Sequence, residues 1–307
     1  MKALVTGGAG FIGSNVVAEL LKNHWEVRVL DNLSSGYLCN LEGLEVELLR
    51  GDICSEQDAA KACEGVDAVF HLAASVGRQR SIDHPQLDST INLIGTVNVL
   101  EGMRKHGVKR IVYSSSAAIF GEPEMEIVKE DHPQNADSPY GVSKLAAEKM
   151  ILSYMGIYGI QAVCLRYFNI YGRNQRFDLY GNVIPIFAKR IAQGAPITIY
   201  GDGLQTRDFV NVRDVAAANY LAASGTETGV FNLGSGGDIT ILQLSQWMQE
   251  LSGKHVEVIH APTRAADVLH CSADPSKARE KLGFEASVPL REGLEEYWNW
   301  FQKYANK

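Results

Sequence analysis

Short apolar runs and helix-period stretches alternate along the first half of the chain. ALVT at 3–6 reads as a strand, FIGSNVVAELLKNH at 11–24 as an amphipathic helix, and VRVLD at 27–31 as a strand again. VELLRGD at 46–52, AVFHLA at 68–73 and RIVYSSS at 110–116 continue the strand series. A long helical stretch runs from about Gln86 to His106, a second helix lies near 140–156, and the strand QAVCLRY follows. Strand–helix alternation with buried-looking strands predicts a parallel doubly wound sheet covered by helices on both faces.

Near residue 170 the pattern changes. NIYGRNQRFDLYGN is polar and loop-like, and the elements after it are shorter. They are a helix near 183–193, ITIYG at 197–201, a helix near 212–223, VFNLG at 230–234 and a helix from Thr240 to Leu251. VEVIH at 256–260 and an amphipathic helix from about Leu290 to Tyr304 close the chain. No repeat or Pro/Ser-rich linker separates the halves, so the second packs on the first. The expected division is a doubly wound α/β domain over 1–170 and a smaller α/β domain over 171–307, with segments from about 205–235 returning to the first.

Composition narrows the function classes. The 307 residues are 46% hydrophobic and 21% charged, the balance of a globular chain with a sizeable core. A net charge of -7 argues against a nucleic-acid partner. Cys39, Cys54, Cys63, Cys164 and Cys271 form no C-x-x-C, and we read them as free thiols with no metal site. The apolar run before the first glycines is too short for a signal peptide, and no run suits a membrane helix. The cytoplasm is the expected location.

The first turn carries the clearest chemistry. LVTGGAGFIGSN at 4–15 is strand, glycine turn and helix. Gly8, Gly10 and Gly13 fit G-x-G-x-x-G; Gly7, Gly10 and Gly13 also fit G-x-x-G-x-x-G. Such glycines permit a tight turn and let a pyrophosphate approach the backbone at a helix N-terminus. Asp31 ends the next strand, where a carboxylate accepts the adenosine ribose hydroxyls and repels a 2′-phosphate, which favours NAD. The fold class is a Rossmann doubly wound sheet. Asp52, at the end of another strand, either holds the adenine amino group or caps the following helix.

SPYGVSK at 138–144 places Tyr140 and Lys144 four apart, on one face of a helix. A cation beside a phenol lowers its pKa toward the range of a general base. SSS at 114–116 ends a strand at the edge of the sheet where ligands bind. Together these predict Tyr140 as the proton acceptor, Lys144 as holder of the nicotinamide ribose and tuner of the phenol, and Ser116 as the hydroxyl that orients a substrate oxygen.

The motifs TGGAGFIGS at 6–14, DNLSSG at 31–36, GD at 51–52, HLAA at 71–74, SSSAAIFG at 114–121, YGVSK at 140–144, LRYFNIYG at 165–172 and RDFVNVRDVA at 207–216 run in order along the chain. They resemble the extended short-chain dehydrogenase/reductases, the nucleotide-sugar epimerase/dehydratase group, and most of all its UDP-hexose 4-epimerases. The resemblance implies cofactor contacts from Gly7, Gly10, Phe11, Ile12, Gly13, Asp31, Asn32, Ser34, Gly36, Asp52, Ile53, Leu72, Ala73, Ala74, Asn92, Ser114 and Tyr167, beside Tyr140 and Lys144. It implies nucleotide-sugar contacts from Asn169, Asn182, Val183, Thr198, Tyr200, Arg207, Arg264, Asp267 and Cys271, beside Ser116 and Tyr140. It also implies a homodimer through the helices near 86–106 and 140–157.

Departures from the group's other patterns sharpen the expectation. Sugar dehydratases carry Asp-Glu just after the catalytic hydroxyl and UDP-glucuronate decarboxylases a Glu, where this chain has Ala117 and Ala118. The Cys acid/base of GDP-sugar 3,5-epimerases is absent there too. C4 epimerisation, which needs no extra acid, is what remains. The loop VGRQRS at 76–81, and Ala266 in R-A-A-D where the group has Gly, are unusual. Cys271 resembles a pocket-wall position whose small side chain admits an N-acetyl group; alternatively it packs in the core. The expected reaction is NAD-dependent interconversion of UDP-glucose and UDP-galactose, with UDP-N-acetylglucosamine and UDP-N-acetylgalactosamine also accepted. The alternatives are a UDP-uronate 4-epimerase, a 4-keto-sugar reductase, or a non-catalytic NAD-binding scaffold.

Overall fold

The computed structural model describes residues 1–175, 182–263 and 269–304. Seven strands form one parallel sheet: β1 (Lys2–Thr6), β2 (Glu26–Asp31), β3 (Glu47–Arg50), β4 (Ala68–His71), β5 (Arg110–Ser116), β6 (Gln161–Tyr167) and β7 (Gly229–Leu233). Their order is β7-β6-β5-β4-β1-β2-β3. The order reverses between β1 and β4, so their carboxyl ends frame a crevice where ligands bind in such sheets.

The apolar strands are buried because both faces are covered. Val16, Val17 and Leu20 of the Phe11–Lys22 helix share one core with Val215, Ala218 and Ala222 of the Val212–Ser224 helix. On the other face Val99, Leu100 and Met103 of the Gly95–His106 helix pack with Ala147 and Ile151 of the Pro139–Tyr158 helix. A third core joins Phe187, Ile191, Ile199, Leu244, Met248, Leu294 and Phe301 in the second half. The chain returns to the main sheet at β7, which pairs with β6.

Four local features differ from the sequence reading. The stretch from Gln86 is not one α-helix: Pro85–Ser89 passes through a π turn at Thr90–Ile94 before Gly95–His106. The VGRQRS loop is largely a short helix, Arg78–Asp83, closed by Ser81 Oγ donating to Arg78 O at 2.7 Å and Gln79 to Asp83 at 2.9 Å. Ser55, not Asp52, caps the Glu56–Cys63 helix, accepting from Asp58 N at 3.2 Å. The helix Ser276–Leu282 and the pairing of Ile127–Val128 with Ser272–Ala273 carry too few residues for a periodic signal.

Candidate active site

The glycine turn fits a dinucleotide. A side chain at Gly13 would overlap the Gly7 carbonyl oxygen, so the Phe11–Lys22 helix comes closer to β1 than any other residue permits. Its N-cap, Gly10, offers no side-chain acceptor, which leaves the first helical N–H groups, those of Phe11 and Ile12 among them, for an anion. Asp31 is buried at the end of β2. Its carboxylate accepts from Ala9 N at 2.9 Å and from Leu33 N at 2.8 Å, which ties the acid to the turn. Gly36 packs on Ala9, and Ser34 N donates to Asn32 Oδ1 at 3.0 Å. Burial pushes the Asp52 carboxyl up, but hydrogen bonds from Cys54 N and the Asn32 amide outweigh it and hold the group below its ordinary range. Ile53 is buried, its carbonyl held by Asn98 at 2.9 Å. Leu72, Ala73 and Ala74 follow β4 directly, with Ala73 N donating to Thr6 Oγ1 at 3.2 Å.

The proposed reacting groups meet across the crevice. Ser116 ends β5, and its hydroxyl caps the turn Ala117–Ile119 by accepting from Ala118 N at 3.2 Å. Ser138 caps the Pro139–Tyr158 helix, accepting from Gly141 N at 3.2 Å, with Pro139 in its first turn. A side chain at Gly141 would overlap the Ala118 carbonyl oxygen, so glycine brings this first turn against Ser116's turn. This brings Tyr140 close enough to Ser116 for the serine hydroxyl to pull the phenol's pKa down. Lys144, one turn on, is buried with its Nζ 4.4 Å from the centre of the Tyr113 ring.

The electrostatics depart from the expectation that Lys144 lowers the Tyr140 pKa in the protein alone. Burial pushes the Tyr140 phenol up, the Ser116 hydrogen bond pulls it down, and the Asp88 carboxylate pushes it up again; the net direction is upward. Burial also brings the Lys144 ammonium down to about 7, against the upward pull of Asp88. Desolvation makes each group disfavour its charged form. A cationic nicotinamide is the added charge that would favour the phenolate.

Around this pair lies a polar network that the sequence did not announce. Asp88, Asn92 and Ser143 are buried together: Ser143 Oγ donates to Asp88 Oδ2 at 2.6 Å, and Asn92 Nδ2 lies 3.2 Å from Asp88 Oδ1 and 2.9 Å from Ser143 Oγ. Asn92, expected to touch the dinucleotide, also exchanges hydrogen bonds with the Ser75 backbone at 2.8 and 3.1 Å, so its amide is committed within the protein. Ser114 donates to Tyr167 Oη at 3.1 Å, and Asn219 donates to the same oxygen at 2.8 Å. Ser115 donates to Glu148 Oε2 at 2.6 Å, and Glu148 takes both arms of Arg166 at 2.7 and 3.1 Å. Glu148 stands four residues after Lys144 and Asp88 four before Asn92, a spacing that was the only sequence signal for either.

On the sugar side, Asn169 Nδ2 donates to Asp208 O at 3.1 Å, and the Arg207 Nη1 donates to Thr206 O at 2.7 Å. Asp208 itself is buried and collects Ser235 N, Ser235 Oγ and Ala273 N between 2.6 and 3.1 Å, joining three loops beside Arg207. Cys271 is half-buried against the cluster that holds Ile119, Phe120 and Phe168, and burial pushes its thiol up to about 11. Asn182 is an exposed N-cap before the Val183–Gln193 helix, and Thr198 and Tyr200 lie on the strand Ile197–Tyr200. Arg264 and Asp267 lie outside the described residues. Among the described residues no cluster of His, Cys, Asp and Glu suits a metal ion.

A dinucleotide turn at the switch point, with Ser, Tyr and Lys converging beside it, defines a short-chain dehydrogenase/reductase that uses NAD. Residues 3–234 match the profile of the NAD dependent epimerase/dehydratase family, and the chain belongs to that family. The UDP-glucose 4-epimerase of Halalkalibacterium halodurans is 36% identical over 324 residues, spanning 99% of this chain and 96% of its own. The structure of UDP-glucose 4-epimerase from Thermotoga maritima with UDP-glucose matches with a TM-score of 0.95 at 38% identity, covering 99% of this chain and 100% of that one. The UDP-N-acetylglucosamine 4-epimerase of Methanobrevibacter ruminantium, in complex with UDP-N-acetylmuramic acid, matches with a TM-score of 0.94 at 33% identity over 98% of each chain. The expectations of family, Rossmann fold and NAD are thus borne out.

Proposed function

We propose that this chain interconverts the C4 epimers of a UDP-hexose through a 4-keto sugar. The observation that carries the reading is the Ser116–Tyr140–Lys144 set beside the glycine turn, with Ala117 and Ala118 where a dehydratase or decarboxylase keeps an acid. NAD, when bound, supplies the acceptor that takes the C4 hydride and gives it back. The Tyr140 phenolate takes the 4-hydroxyl proton, Ser116 orients that oxygen, and Lys144 holds the nicotinamide ribose. The 4-keto sugar turns over about its diphosphate, and Tyr140 returns the proton as the hydride arrives on the other face. Protons and electrons both balance, so no reductant is consumed.

The 1–170 unit binds the cofactor, and the 171–307 segment supplies the sugar-nucleotide contacts, Arg207 and Arg264 suiting a diphosphate through their planar donors. The small side chain of Cys271 leaves room for an N-acetyl group, so UDP-N-acetylglucosamine and UDP-N-acetylgalactosamine are substrates beside UDP-glucose and UDP-galactose. Exposed Leu87, Ile94, Val142 and Ile157 lie along the helical stretches that would meet their copies in a homodimer. Among the described residues no helix is long and apolar enough to cross a membrane, and the cytoplasm is the proposed location. The test is incubation of purified protein with UDP-galactose and, separately, UDP-N-acetylglucosamine, without added NAD, with products resolved by NMR. Conversion to the C4 epimer is expected. Conversion only with stoichiometric reduced cofactor would make the chain a reductase instead.

A further inference from the structure

We propose that Asp88 is the counter-charge of Lys144, held in place by Ser143 and Asn92 as a positioning residue for the Tyr140–Lys144 pair. The inference rests on the reading of that pair as the working acid–base set. Asp88 is 1% exposed and Lys144 3% exposed, and among the described residues neither has a direct ion-pair partner. Burying either charge alone is strongly unfavourable. The two sit on facing elements, and Ser143, the neighbour of Lys144 in sequence, donates to the Asp88 carboxylate at 2.6 Å. The π turn at Thr90–Ile94 follows directly after Asp88, and Asn92 within it reaches Asp88 and Ser143 at once.

The other groups around Lys144 are already accounted for. Glu148, on the same helix, is matched by Arg166 of β6, bidentate at 2.7 and 3.1 Å. Tyr113 of β5 and Cys164 of β6 are buried and kept neutral, burial raising both. His71 of β4 is neutral, pushed down to about 3 by burial and by Lys144. Its ring is fixed: Thr96 Oγ1 spends its proton on Asn92 O at 2.6 Å and therefore accepts from His71 Nε2, 2.9 Å away. Arg78 pairs with Asp137 at one end of the helix, and Glu101 with Arg104 at the other. One carboxylate, Asp88, is left to balance one ammonium.

Removing that carboxylate moves both partners the same way. Without Asp88, Lys144 loses its proton more readily, and the Tyr140 phenol ionises more readily. Whichever limb of the pH–rate profile belongs to which group, both limbs move toward acid.

The test compares pH–rate profiles of the wild-type holoenzyme and Asp88→Asn, which keeps the size and an acceptor for Ser143. The profile is expected to shift by roughly one pH unit to acid, with activity lost at pH 8.5 and retained at pH 6. Ser143→Ala, which deprives the carboxylate of its closest donor, shifts it the same way by less and decides the matter if Asp88→Asn does not fold. A profile lower in height but unmoved in pH would overturn the proposal. The same shift is read without turnover by NMR of 13Cζ-tyrosine, with Tyr140 assigned against Tyr140→Phe. If the wild type converts no UDP-sugar, the reading of function fails, while the NMR titration still decides the role of Asp88.

Discussion

The catalytic helix passes two buried charge clusters that solve the same problem differently. At Glu148 the carboxylate grips Arg166 with both oxygens, takes the Ser115 hydroxyl, and leaves neither charge exposed or uncompensated. One turn earlier, Asp88 and Lys144 are equally buried but do not touch. Asp88 is satisfied by neutral donors, and Lys144 lies over an aromatic face. A closed pair is fixed in its protonation and serves to pin the helix to β6. An open pair keeps its ammonium available to a ligand, and burial has brought that ammonium to about 7, within reach of physiological pH. Structure and chemistry are thus assigned to adjacent turns of one helix.

Four changes would break or sharpen that contrast. Tyr140→Phe, in the open cluster, should lower turnover by roughly 10²–10⁴-fold while thermal unfolding stays near wild type. Glu148→Gln, in the closed cluster, should do the reverse: leaving Arg166 buried without its carboxylate costs about 3–5 kcal/mol of stability by denaturant unfolding. Cys271→Tyr, beyond both clusters, should cut conversion of the N-acetylhexosamine nucleotides by roughly 10–200-fold and spare UDP-galactose, as measured by competing-substrate assays. An unchanged N-acetylhexosamine rate would return Cys271 to a purely packing role.

The smallest effect concerns pH. His71 titrates at about 3 when folded and near 6.5 when unfolded. Its contribution to stability is therefore full above 6.5 and is lost as pH falls toward 3, at about 1.4 kcal/mol per unit. His71→Gln removes this dependence, so the gap in unfolding free energy between wild type and variant should narrow on acidification. A constant gap between pH 6 and 4 would show that His71 is not held neutral.

The regular elements and much of the site were legible early because they rest on local rules. Apolar runs long enough to be buried on both faces gave β1, β2, β4, β5 and β6 nearly to the residue, and the closing helix matched at Leu290–Tyr304. The glycine turn, Asp31 and the Tyr140–Lys144 spacing each follow from a backbone or helix requirement that a short window contains. Short elements failed for the opposite reason. Arg78–Asp83 and Ser276–Leu282 have too few residues for periodicity, and the two-residue strand Ile127–Val128 exists only because Ser272–Ala273 arrives beside it.

The sequence by itself determined a parallel doubly wound sheet, the place of the cofactor turn and the identity of the reacting side chains, since each is written in near-neighbour spacing. Only the tertiary structure decided their electrostatics. Burial turned the expected direction of the Tyr140 shift, committed Asn92 to Ser75, Asp88 and Ser143, and separated a closed ion pair from an open one. A pKa depends on what surrounds a group in space, and Asp88 and Lys144 are brought together by folding across more than fifty residues of intervening chain.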